Sequence, residues 1–157
     1  MSNFFVIIKI GDNMKIGIAS DHRGYELKKK IIKDLKNITF EDFGCFSKES
    51  CDYPEFAFKL GKAVVNKKVD LGIAICGSGI GISIACNKVK GIRCARVTSI
   101  KDVIYTRKDN NANIIAFSSS INYERVLRMI EEFINTDFSK EERHTRRNKM
   151  IDNYKGE

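Results

Sequence analysis

The sequence predicts an α/β fold: a three-layer, doubly wound parallel sheet with helices on both faces. Three observations point to it. Strand-length apolar runs alternate with stretches of helical period along most of the 157 residues. Runs such as "DLGIAIC" are apolar nearly throughout rather than at every second position, as strands covered on both faces are. Each run is followed by a helical stretch, the order of parallel crossovers, so about five strands form a Rossmann-like sheet, and a C-terminal helix closes the chain. With 43% hydrophobic residues, one domain of this length buries a sizeable core.

Taken in order, "MKIGIAS" from Met14 reads as the first strand. Residues 1–13 read either as an added edge strand turning at "GDN" or as an over-long start, and residues 14–157 as the single domain. Arg23 to Asn37 is an amphipathic helix: Leu27, Ile31, Ile32 and Leu35 share one face, and Lys28, Lys29, Lys30, Lys33 and Lys36 take the solvated one. "ITFEDFG" gives the second strand and "PEFAFKLGKAVVNK" the second helix. Then "DLGIAIC", "GISIACNK", "GIRCARV", "SIKDVIYTRK", "NIIAFS" and "NYERVLRMIEEFI" continue the alternation. No linker, low-complexity tract or internal repeat interrupts it.

The net charge of +8 permits an anionic partner. The lysines of the first helix read as its wet side rather than as a nucleic-acid surface. "RHTRRNK" differs, because Arg143 and Arg147 are four apart and project to one side of a helix, where paired guanidinium forks suit a phosphate. Five cysteines, Cys45, Cys51, Cys76, Cys86 and Cys94, form no CxxC pair and follow no secretory signal, which argues against a disulfide framework and a zinc site and for a reducing cytoplasm. The longest apolar run, "FFVII", is too short to span a bilayer, so no membrane role is expected.

In a doubly wound sheet, ligands bind beyond the carboxyl ends of the strands, which directs attention to Asp21 and His22, Cys76 to Gly81, Thr98 and Ser99, and Ser118 to Ser120. Among these, "CGSGIGIS" is the most informative. It is not a dinucleotide fingerprint, whose third glycine falls on Ile82; it lacks a Walker ending; and a cysteine phosphatase would need arginine at Ile82. What remains is a thiol followed by backbone with few side chains at a helix start. Such amides can aim N–H groups at one oxygen and stabilise developing negative charge. The same positive field is expected to favour the thiolate form of Cys76, the form that acts as a base. The alternative, a small core residue in a tight turn, stays open from these residues alone.

"SDHRGYELK", "DYPEFA", "ICGSGIGISIACNKVKGIR", "NANIIAF" and "RHTRR", in this order, resemble the signatures of type B ribose-5-phosphate isomerases and of the related galactose-6-phosphate isomerase subunits, from Met14 to about Ile151. The resemblance implies aldose–ketose interconversion of a sugar phosphate through an enediol, without metal or organic cofactor. It implies Cys76 as the base, the amides of Gly77, Ser78, Gly79, Ile80 and Gly81 as the hole for the enediolate oxygen, and the Ser78 hydroxyl in place of the usual threonine's. Asp21, His22, Tyr53 and Asn110 match substrate contacts, and Arg143 and Arg147 match phosphate-binding arginines that often reach into a partner's site. A homodimer, or a tetramer of paired dimers, follows from that, with the sites at the subunit interface.

Two positions depart from the pattern. Asp109 stands where ribose-5-phosphate isomerases have a ring-opening histidine, and Ser120 where they have a phosphate-binding arginine. "NAN" at Asn111 to Asn113 is nearer the galactose-6-phosphate branch. The expected activity is therefore ribose 5-phosphate isomerisation, with an isomerase of galactose 6-phosphate or allose 6-phosphate, or a non-catalytic sugar-phosphate binder, as alternatives.

Overall fold

The computed structural model describes residues 14–156; the two readings of residues 1–13 lie outside the described residues. The elements are β1 (Lys15–Ser20), α1 (Tyr25–Asp34), β2 (Thr39–Asp42), α2 (Tyr53–Val65), β3 (Leu71–Cys76), α3 (Ile80–Cys86), β4 (Cys94–Arg96), α4 (Ile100–Lys108), β5 (Ile114–Ser118), α5 (Tyr123–Asn135) and α6 (Glu142–Asn153). The strands form one all-parallel sheet in the order β2-β1-β3-β5-β4. This is the doubly wound α/β fold expected, with each predicted strand and helix present. Among the described residues no helix is long and apolar enough to cross a membrane.

The central strands explain why the sheet is covered on both sides. In β3, Ile73 and Ile75 face a core built with Ile31 of α1 and Val126, Met129, Ile130 and Phe133 of α5. Ala74 and Cys76 face the other core, where α2 supplies Ala57, Leu60 and Val64 and α3 supplies Ile82 and Cys86. That second face is made of small strand residues, so α2 packs close to the backbone: a side chain at Gly17 would meet Leu60 Cδ1 at 2.7 Å.

One lysine does not sit where the helical period puts it. Lys28, expected on the wet face, is 0% exposed. Its Nζ donates to Asp42 Oδ1 at 2.7 Å and also to the Cys45 carbonyl, so the buried charge is paired and hydrogen-bonded across to the end of β2. Lysine's long stem makes this possible, and the partner lies beyond what the helix period can reveal.

Register divides the molecule into two working edges. Cys76 lies beside Ser118 at the carboxyl ends of β3 and β5, and Gly72 beside Ile114 at the other end of the same pair. Ile114 to Ser118 spans roughly 13 Å at the usual strand rise. The direction of winding reverses between β1 and β3, the switch point at which such sheets take ligands.

Candidate functional site

At the carboxyl edge, the turn after β1 and the loop after β3 meet. The Asp21 N–H donates to the Ile75 carbonyl at 3.1 Å, and the Asp21 carboxylate, buried, accepts from the N–H groups of Arg23 at 2.9 Å and Gly24 at 3.1 Å. His22 follows, its Nδ1 accepting the Cys51 N–H at 3.3 Å. Tyr53, first residue of α2, lays its ring against Gly81 so closely that an added Cβ there would be 2.5 Å from Tyr53 Cζ. Asp21 thus lies beside the end of β3 and Tyr53 against Gly81, while His22, next to Asp21 in the chain, turns its ring to Cys51.

The loop itself is oriented by its carbonyls. The Cys76 carbonyl accepts from Ser119 N–H at 2.9 Å, that of Gly77 from Ser118 Oγ at 2.7 Å, and that of Ser78 from Arg96 Nε at 3.0 Å. In a trans peptide, the next N–H points opposite to the carbonyl. Three carbonyls held outward therefore turn the N–H groups of Gly77, Ser78 and Gly79 the other way. Gly79 N–H donates to Cys76 Sγ at 3.1 Å, and Ile80 N–H to Ser78 Oγ at 3.1 Å. Of the expected oxyanion donors, the amides of Gly79 and Ile80 are thus engaged within the loop, whereas those of Gly77 and Ser78 have no acceptor among the described residues. Gly79 makes the turn with φ +74°, and an added Cβ would sit 2.7 Å from the Phe117 carbonyl carbon, so only glycine fits. Cys76 is 4% exposed.

Two cations flank this loop: Arg96, which the sequence offers as a replacement for the positive charge absent at Ser120, and Arg23, which the sequence reading did not assign. Arg96, at the end of β4, reaches Ser78, and the Arg23 side chain lies against Gly77, where an added Cβ would be 3.0 Å from its Cζ. Both add positive potential where negative charge would form. Ser120 is here too, its N–H donating to Ser118 Oγ at 3.1 Å. Thr98 and Ser99, singled out as ends of a strand, instead build the N-terminal cap of α4: Ser99 Oγ accepts the Asp102 N–H, and the Asp102 carboxylate accepts from Thr98 and Ser99. Those bonds, that from the Thr98 N–H foremost, hold the Asp102 carboxyl below the usual range.

The remaining predicted residues gather at the amino edge of the sheet. Asp109 caps the end of α4, Asn110 follows it, and Arg143 and Arg147 lie on α6. Here a residue missed in the sequence joins them: His144 Nε2 stands 3.4 Å from Asp109 Oδ1. Asn148 of α6 donates to the Asp109 carbonyl at 3.0 Å. Arg93 locks the cluster, donating through Nε to the Asn110 carbonyl at 2.8 Å, through Nη2 to the Asn111 carbonyl at 3.1 Å, and through Nη1 to both Asp152 oxygens at 2.6 and 2.7 Å. One chain therefore does not bring Asp109, Asn110, Arg143 and Arg147 to Cys76. Among the described residues no three of His, Cys, Asp or Glu converge to hold a metal ion.

Fold and site together define an α/β protein that carries a thiol and inward-turned amides at the switch point of a parallel sheet. Residues 16–151 match the ribose/galactose isomerase family, and the chain belongs to that family. Ribose-5-P isomerase B of Listeria innocua is 40% identical over 129 residues, covering 80% of this chain and 87% of that protein. The structure of a ribose 5-phosphate isomerase from Thermotoga maritima superposes with a TM-score of 0.87 at 39% identity, covering 91% of this chain and 100% of that one. That of ribose-5-phosphate isomerase B from Mycoplasma genitalium with bound ribulose-5-phosphate gives 0.83 at 38% identity, covering 90% and 97%.

Proposed function

We infer that this chain interconverts ribose 5-phosphate and ribulose 5-phosphate through an enediol, in a cytoplasmic homodimer, or a tetramer of paired dimers, whose sites form between copies. The observation that carries the reading is the Cys76 loop. Its thiolate moves a proton between C1 and C2, while the N–H groups of Gly77 and Ser78 receive the oxygen on which negative charge develops. The Ser78 hydroxyl, Asp21, His22 and Tyr53 hold the opened sugar. Asn110, Asp109, Arg143 and Arg147 come from a second copy, because their own chain keeps them at the far edge of the sheet. In a C2 pair each copy lends its amino edge to the other's carboxyl edge.

A second reading, isomerisation of a hexose 6-phosphate, draws on Asp109 and Ser120, which stand where the resemblance expects histidine and arginine. Purified protein offered ribose 5-phosphate, allose 6-phosphate and galactose 6-phosphate separates the two. Preferred turnover of ribose 5-phosphate supports the first reading, and a higher kcat/KM on either hexose phosphate replaces it with the second. Tight binding without turnover of any of them overturns both.

A further inference from the structure

We propose that His144, acting with Asp109, is the acid–base pair that opens the sugar ring. The proposal rests on the isomerase reading above and deepens it. A carboxylate alone can take the proton from an anomeric hydroxyl but has none to give to the ring oxygen. Imidazole is the side chain that gives and takes protons near neutral pH. The chain has two histidines. His22 lies at the carboxyl edge with Nδ1 turned to Cys51, which leaves His144 as the histidine of the amino edge.

The local geometry suits this pair. The His144 side chain is 13% exposed and that of Asp109 36%, so a largely enclosed imidazole stands beside a carboxylate that opens further to solvent. Asn148 and Arg93 fix the turn that carries Asp109. Arg143 and Arg147, on the same helix, are the residues assigned to phosphate, so a sugar phosphate anchored there presents its ring to this turn.

The step balances without a co-reactant. Asp109 takes the proton from O1, the O1 electron pair forms the C1=O bond, and the C1–O4 bond breaks as its pair takes a proton from the His144 imidazolium. Because O1 and O4 are both bonded to C1, acceptor and donor must stand side by side, as Asp109 Oδ1 and His144 Nε2 do at 3.4 Å. The proton on Asp109 then returns to His144 across the same contact, and the pair is reset.

The test separates ring opening from proton transfer at carbon. Ribulose 5-phosphate has no furanose ring, so its C1–H exchange with deuterium oxide reports the Cys76 step alone, whereas conversion of ribose 5-phosphate needs both. For His144→Gln and for Asp109→Asn, kcat/KM from ribose 5-phosphate should fall about 10²-fold while C1–H exchange stays within about twofold. The double variant should be little worse than either single one, as members of one acid–base unit are. Equal losses in both assays, or a rise in KM alone, would make His144 a structural or phosphate-binding residue and overturn the proposal, as would an unchanged rate from ribose 5-phosphate. Wild-type protein inactive in both assays would overturn the isomerase reading itself, and the pair's role with it.

Discussion

The Gly79 N–H donates to Cys76 Sγ at 3.1 Å, so the residue that makes the turn also holds the sulfur. The turn needs positive φ at Gly79, and the backbone of Phe117 and Ser118 leaves no room for a methyl group there. Gly79→Ala should therefore displace the loop from β5, lowering kcat by orders of magnitude and destabilising the fold by about 1–3 kcal/mol. Urea unfolding and steady-state kinetics on the same preparation check this; a variant with native stability and native kcat would show the loop to be more yielding than its contacts imply.

Cys76→Ala removes the proposed base without disturbing the carbonyl bonds that orient the loop. Since a general base acts in the proton-transfer transition state, kcat should fall ~10²–10⁴-fold while KM changes little. Retention of near wild-type kcat would leave Cys76 as a small residue filling the α2–α3 side of the core.

How far the sequence disclosed these features depended on whether each is local. The strand ending in Cys76 and its glycine loop were legible because apolar run, thiol and glycines are contiguous, and their meaning depends on few distant residues. His144 was not, since it pairs with Asp109 only when α6 folds back on the end of α4. Lys28 misled for a related reason: helical period puts it among exposed lysines, but it reaches inward to Asp42, a residue of another element. Nor did residue types alone separate Cys76 from Asp109; the strand register did, by setting them at opposite edges of one sheet.

The cap of α4 bears on the amino-edge cluster through Asp109 at the other end of that helix. Asp102 is held below the usual carboxylate range, first by the Thr98 N–H and then by the Thr98 and Ser99 hydroxyls. A group whose pKa is lower folded than unfolded stabilises above its unfolded value and loses that contribution as pH falls through the folded one. Asp102→Ala should thus cost about 1 kcal/mol at pH 7, and the gap from wild type should narrow as the medium is acidified below the ordinary aspartate range. Urea unfolding of both proteins across acidic to neutral pH checks it; a gap independent of pH would mean that the Asp102 charge contributes nothing.

The separation of Cys76 from Arg147 predicts that two dead chains can make a living enzyme. If Arg147 serves the phosphate bound beside Cys76 of a second copy, a Cys76→Ala chain and an Arg147→Ala chain are each inactive alone. In a heterodimer, one site combines the intact Cys76 of the second chain with the intact Arg147 of the first, and the other site lacks both. Random exchange makes half of the dimers mixed, each with one of two sites whole, so equal mixing should recover about a quarter of wild-type activity in an isologous pair. Mass spectrometry of the mixture under native conditions verifies that exchange has occurred. Exchange without recovered activity would mean that Arg147 acts within its own chain's site or outside any site, and the division of labour between the two edges of the sheet would have to be abandoned.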